Sequence, residues 1–144
     1  EVFLMPIMQQ YQLSEHDVTQ NNTIYYAFIE NDRKKGGDDI STMLRGRQNG
    51  LPITLKRSGG TGIDSYFDDD EYVPIVYALN RDLDFVVRVL LHKAIVIIPS
   101  STFNSNHWNQ DFFGRKCPKF FKYFNGRFND MLTQYTPKRL PDWL

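Results

Sequence analysis

The stretch 65–75, SYFDDDEYVPI, sets a Tyr-Phe pair before four consecutive acids, then a tyrosine and, one residue on, a proline. Four adjacent carboxylates fit three uses: a metal ligand set, an acidic docking patch, or the start of a helix. Pro74 favours the last. A first helical turn tolerates proline, because the missing N–H would have no intrahelical partner there. Carboxylates at or just before that turn accept backbone N–H bonds and suit the positive end of the helix dipole. Beyond it, Ile75, Leu79, Leu83, Val86, Val87 and Leu90 recur at helical spacing through Leu91. The acids are therefore read as the start of a long amphipathic helix.

Working outward, LPITLK (51–56) reads as a strand with Pro52 near its start, and RSGGTGID as the loop joining it to the helix. Before it, TIYYAFI (23–29) is β-branched and aromatic, hence a strand, and ENDRKKGGDD is a loop. Asp38 or Asp39 is placed to cap a short helix through Met43 and Leu44, which GRQNG ends. VFLMPIM (2–8) reads as an edge strand, because Pro6 cannot donate to a ladder, and residues 9–23 read as irregular loop. Downstream, KAIVIIP (93–99) is wholly apolar, the pattern of a strand buried on both faces. SSTFNSNHWNQDFFGRK is a polar and aromatic loop. CPKFFKYFNGRFNDML is a helix with Pro118 in its first turn and a buried stripe of Phe121, Phe124, Phe128 and Leu132. The closing TPKRLPDWL is a tail that Trp143 can anchor.

The order β, β, short α, β, long α, β, long α predicts the α/β class: a three-layer α/β/α sandwich with a mixed sheet. One domain spans 1–144, with 1–22 as N-terminal strand and loop and 133–144 as C-terminal tail. In such sheets ligands bind beyond the carboxyl ends of the strands. Here those ends are the polar segments 30–37, 56–62 and 99–108.

Composition narrows the partners. The chain has 144 residues, enough for one domain with a real core, and Lys+Arg and Asp+Glu both number 17. No global charge pulls it toward nucleic acid or lipid. From Asp111 onward seven basic residues face three acids, which is either a basic face for phosphate-bearing partners or a solvated helix face. Cys117 is the single cysteine, so no internal disulfide and no Cys-based zinc cluster can form, which fits a reducing compartment such as the cytoplasm. Its basic neighbours could lower a thiol pKa, although packing is the commoner role. No apolar run approaches the ~20 residues that span a bilayer. VFLMPIM has no basic leader, so no signal peptide is expected.

Catalytic patterns are sparse. The histidines are His16, His92 and His107. His92 lies at a helix end, where a cation is favoured. His107 stands near Ser100, Ser101 and Ser105, but no G-x-S-x-G turn surrounds any of them. Metal-ligand spacings such as H-E-x-x-H are lacking too, so neither a metal nor a cofactor is expected. KKGGDD and RSGGTG each bring glycines to a strand end, where backbone N–H groups can approach phosphate oxygens.

Taken in order, FIEND, GG, LRGRQNGLPITLKRS, SYFDDDEY, IVIIPS and CPKFFKYFNGRFNDML resemble the pattern of small phage and bacterial macrodomain-like proteins, over roughly residues 24–132. The resemblance implies the macro fold and binding of ADP-ribose or a related nucleotide. It puts Glu30 and Asn31 on the acid–Asn element that meets adenine and ribose. Gly36 and Gly37 fall on the diphosphate loop, Arg45, Gly46 and Asn49 on the Arg-Gly…Asn element, and Lys56, Arg57 and Ser58 at the strand end. Tyr66, Phe67 and Asp68 to Tyr72 match the helix start, and Pro118 and Lys119 the last helix. Two departures stand out: Ile29 replaces the glycine before the acid–Asn pair, and SSTFNSNHWNQ replaces an acidic, glycine-rich loop. Asn104, His107 and Trp108 are then the residues to take over that loop's contacts.

Three functions follow as expectations. One is a non-catalytic ADP-ribose-type nucleotide-binding domain using Glu30, Asn31, Gly36, Gly37, Arg45, Lys56, Arg57, Asn104 and His107. The second is a degenerate scaffold that engages a host protein, as a phage accessory factor, through Trp108, Phe112 and Phe113. The third is an ADP-ribosyl hydrolase with a water placed by Asn31 or Asp32.

Overall fold

A computed structural model of the protein describes residues 7–10, 12–20, 23–92, 94–99, 103 and 112–135. Four strands, β1 (Ile7–Gln10), β2 (Ile24–Asn31), β3 (Gly50–Lys56) and β4 (Ile95–Pro99), form one sheet in the order β1-β4-β2-β3. The chain is α/β as expected, but all three strand pairings are parallel rather than mixed. The one antiparallel contact among the described residues is an isolated bridge between Lys56 and Tyr66. A parallel pair needs a crossover, and each crossover here carries a helix.

Those helices are α1 (Glu15–Gln20), α2 (Asp39–Leu44) and α3 (Tyr72–Leu91), followed after β4 by a single turn, α4 (Gly114–Lys116), and α5 (Pro118–Tyr135). The paths β1→β2→β3 run across the sheet in one sense, and β3→β4 returns in the other. Right-handed crossovers then demand helices on opposite faces. The core is divided accordingly. Ala27, Leu51, Ile53, Leu55, Val96 and Ile98 pack with α3 and α5 on one face. Tyr26, Phe28 and Ile97, of opposite strand parity, pack with Leu13, Val18 and Leu44 from the α1 and α2 segments on the other.

α3 runs as the spacing predicts, with Ile75, Leu79, Leu83, Val86 and Leu90 buried and Pro74 in its first turn. Each such side chain contributes roughly 1.5–3 kcal/mol on full burial. On α5 the stripe is turned by one position from the expected one: Phe120, Phe124, Phe128 and Met131 are buried, while Phe121 and Leu132 lie at its edge. The segment 9–23 is not all loop, since α1 occupies Glu15–Gln20. β1 begins at Ile7 and is an edge strand as expected, whereas Pro6 and the rest of residues 1–6 lie outside the described residues.

β3 is the other edge, and its outward amides are accounted for one by one. Gly50 N–H donates to the Arg47 carbonyl at 3.2 Å, Pro52 has no N–H, and Thr54 N–H donates to Asp82 Oδ2 on α3 at 2.8 Å. An edge without free donors resists pairing with a foreign strand.

Candidate functional site

The carboxyl ends of β2 and β3 lie side by side, and the loops that leave them make a cleft of about 170 Å³. Its walls are Ile29, Asn31, Gly37, Asp38, Ser41, Lys56, Gly59, Gly60, Thr61 and Tyr66. The two glycine-bearing segments thus converge. A Cβ on Gly59 would stand 2.5 Å from Gly37 N and 2.6 Å from Lys35 O, so only glycine lets the two loops touch backbone to backbone. Gly36 and Gly37 hold φ of +65° and +99°, conformations that suit glycine at the tip of the first loop.

A register shift in the ladder sets the floor. Glu30 pairs with Thr54, but Asn31 pairs with Lys56, so β3 carries one extra residue between them. Asn31 is buried, and its amide is spent on its own loop: Nδ2 donates to the Lys35 carbonyl at 3.0 Å and Oδ1 accepts from Lys35 N–H. Ser41 Oγ donates to the Ile29 carbonyl, and Asp38 Oδ1 accepts from Ser41 N–H as the N-cap of α2, each at 2.8 Å. The sequence reading missed Asp38 and Ser41 as cleft residues, because both also look like ordinary helix-start chemistry.

Lys56 is the cation of the cleft. It is half-buried, its Nζ donates to the Gly60 carbonyl at 2.7 Å, and it sits 5.0 Å from the centre of the Tyr66 ring. It forms no ion pair among the described residues, and burial pulls its ammonium pKa below the usual lysine value, against the pull of Asp38. Burial also raises the Tyr66 hydroxyl to about 12, so it stays a neutral donor. The backbone N–H groups of Gly59, Gly60 and Thr61 donate no hydrogen bond within the described residues.

Several expected ligand groups are elsewhere. Glu30 points to the other face of the sheet, where it is buried and bidentate with Arg45: Nε to Oε2 at 2.8 Å and Nη2 to Oε1 at 2.6 Å. Arg45 Nη2 also donates to the Gly36 carbonyl at 2.9 Å, so Arg45 and Gly36 brace the loop from behind instead of facing the cleft. The pairing raises the Arg45 pKa further. Arg57 turns away from the cleft to the acidic run, where its Nη2 donates to Asp68 Oδ2 at 3.1 Å and to Glu71 Oε1. Its hydrogen bond holds the Asp68 pKa below the usual carboxylate value. Asn104, His107 and Trp108 lie outside the described residues.

The acidic run begins a helix as expected, although not every acid in it serves that helix. Asp68 and Glu71 form a capping box, with Asp68 N–H donating to Glu71 Oε1 at 3.2 Å. Lys116 Nζ is 3.4 Å from Asp68 Oδ1, and Asp69 caps α5 rather than its own helix. Among the described residues no group of three His, Cys, Asp or Glu is placed to hold a metal ion.

Of the three aromatics offered as partner anchors, Trp108 lies outside the described residues, Phe113 is a core residue and Phe112 packs at the edge of the core. Phe113 is completely buried and packs its ring 5.0 Å from Phe121 and 5.7 Å from Phe120, while Phe112 is partly buried against Tyr66. A side chain so enclosed has no surface to present, which corrects the expectation for Phe113 and limits it for Phe112. Cys117 is buried as well, and burial pushes its thiol up to about 12, so it is a packing residue and not a nucleophile. His92 is the C-cap of α3, as its position predicted. No helix among the described residues is long and apolar enough to cross a membrane.

Residues 8–127 match the family described as "Family of unknown function (DUF7831)", and the chain belongs to that family. No curated protein matches the chain, and no solved structure does.

Proposed function

We propose that this member of a family of unknown function is a non-catalytic binding domain, a three-layer α/β/α sandwich of macrodomain-like kind, which takes the phosphate of an ADP-ribose-type nucleotide in the cleft beyond β2 and β3. The observation that carries the reading is Lys56: a half-buried ammonium that forms no ion pair with a carboxylate among the described residues, beside three backbone N–H groups that no described residue accepts from. A phosphate there would neutralise the lysine and use the amides of Gly59, Gly60 and Thr61 as donors. The position also suits the class, since open α/β sheets bind ligands outside the carboxyl ends of their strands. At about 170 Å³ the cleft is smaller than the roughly 300–1,000 Å³ of sites that enclose a whole drug-sized ligand. It therefore holds the phosphate–ribose part and leaves the base outside.

A non-catalytic role fits the surroundings. Asn31, the residue that would place a water, has both ends of its amide engaged by Lys35. Calorimetric titration with inorganic phosphate, ADP and ADP-ribose tests the proposal. Binding of the nucleotides is expected, weakened at least tenfold in Lys56→Gln. No heat from any of the three at millimolar concentration removes the reading, and unchanged affinity in Lys56→Gln moves the site elsewhere.

A further inference from the structure

The large apolar side chains exposed on the described surface, Val73, Tyr77, Phe85 and Leu91, all lie on α3. Three of them share a narrow arc with three charges. At 100° per residue, Val73, Tyr77, Arg81, Asp84, Arg88 and Leu91 fall within about 80° of the helix circumference. Val73 is 77%, Tyr77 74% and Leu91 55% exposed, and all three charged residues are exposed too. The guanidinium groups of Arg81 and Arg88 make no hydrogen bond or ion pair among the described residues, and the Asp84 carboxylate has a single long contact there, 3.9 Å to Arg127.

The order of these residues is self-complementary. Lay a second α3 antiparallel on the first, with the twofold axis near residue 82. Val73 then faces Leu91 of the other copy, Tyr77 faces Arg88, and Arg81 faces Asp84. Each contact occurs twice. The apolar pair closes the two ends, the guanidinium stacks on the phenol ring, and the opposite charges meet beside the axis. An interface built from one patch meeting itself is what a twofold dimer requires. A parallel pairing would instead set Arg81 against Arg81 and Asp84 against Asp84.

We propose that the exposed face of α3 is the contact surface of a homodimer, two copies packing antiparallel about an axis near residue 82. One helix pair buries less than the ~1,200–2,000 Å² of a standard stable interface, so the dimer is weak, with a dissociation constant in the micromolar range. The surface is separate from the cleft at the strand ends, and the proposal stands without the nucleotide reading.

Sedimentation velocity of the full chain from about 1 to 500 μM tests it, with circular dichroism as the check on folding. A concentration-dependent monomer–dimer equilibrium is expected. Tyr77→Asp should weaken it at least tenfold, and so should Asp84→Arg alone, which sets like charges together. Combining Asp84→Arg with Arg81→Asp in one chain restores opposite charges and should recover most of the affinity. A monomer throughout the range overturns the proposal, including the case in which residues 136–144 of the same chain cover this face. So does a dimer that ignores Tyr77→Asp, or one that the double variant fails to rescue.

Discussion

The Asp69 carboxylate accepts the backbone N–H of Lys119 at 3.0 Å, across 50 residues of chain. Its other oxygen accepts from Phe120 N–H at 3.2 Å. The acid is written at the start of α3 and spent at the start of α5, where two donors would otherwise lack partners. The two helices that cover one face of the sheet are thereby joined at their N-termini.

Truncating that cap should cost what other N-caps cost. Asp69→Ala is expected to lose roughly 1–2 kcal/mol in urea unfolding, against less than about 0.5 kcal/mol for the neighbouring exposed Asp70→Ala. Equal effects of the two would mean that the run acts only through its summed charge.

Glu30 and Arg45 carry a second expectation. Glu30 is 3% exposed and lies in a bidentate pair. Removing Arg45 leaves a carboxylate in the interior, so Arg45→Ala should cost about 3 kcal/mol or more. Glu30→Gln with Arg45→Met, which buries no charge, should cost less than Arg45→Ala alone. Denaturant melts of the single and double variants give the comparison.

Asp82 gives a pH dependence. Burial raises its pKa above the ordinary aspartate value of 3.8, although the Thr54 N–H bond pulls the other way. The folded state therefore holds its proton more tightly than the unfolded chain does. Its contribution to stability is greatest below pH 3.8 and is lost as pH rises from there through the folded value. Asp82→Asn keeps an oxygen for Thr54 and should abolish that part of the pH dependence. Asp82→Leu leaves the edge donor unmade and should cost about 1–2 kcal/mol at every pH. A wild-type stability curve that superimposes on that of Asp82→Asn from pH 4 to 7 contradicts this.

Cys117 should be silent in the native state. With the thiol buried and raised to about 12, iodoacetamide at pH 8 should label it no faster than the protein unfolds. Labelling at the rate of a free thiol in native buffer would mean that the contact of α4 with α5 opens readily.

Much of this architecture was legible in the residues. Proline and acids before an apolar 3.6 period gave the start of α3, and an unbroken apolar run gave β4 as an interior strand. The glycine pairs after β2 and β3 marked the loops that form the cleft. Less was legible where the local signal was thin. α1 has one buried apolar residue, Val18, in six, too little for a period to show. On α5 the spacing put Phe121 rather than the adjacent Phe120 on the buried stripe, and only the packing against Phe67 and Phe113 turned Phe120 inward.

The sequence by itself determined the four strands and the helices α2, α3 and α5, and that polar loops leave the strand ends, because those properties follow from the spacing of apolar side chains and from proline and glycine geometry. Tertiary structure alone decided where each charge is used: Glu30 spent inside the fold, Arg57 on the acids at the start of α3, Asp69 on a helix 50 residues away, and Lys56 in the cleft without an ion pair among the described residues. A charge is satisfied by whatever stands about 3 Å from it once the chain has packed. No period along the chain encodes that distance.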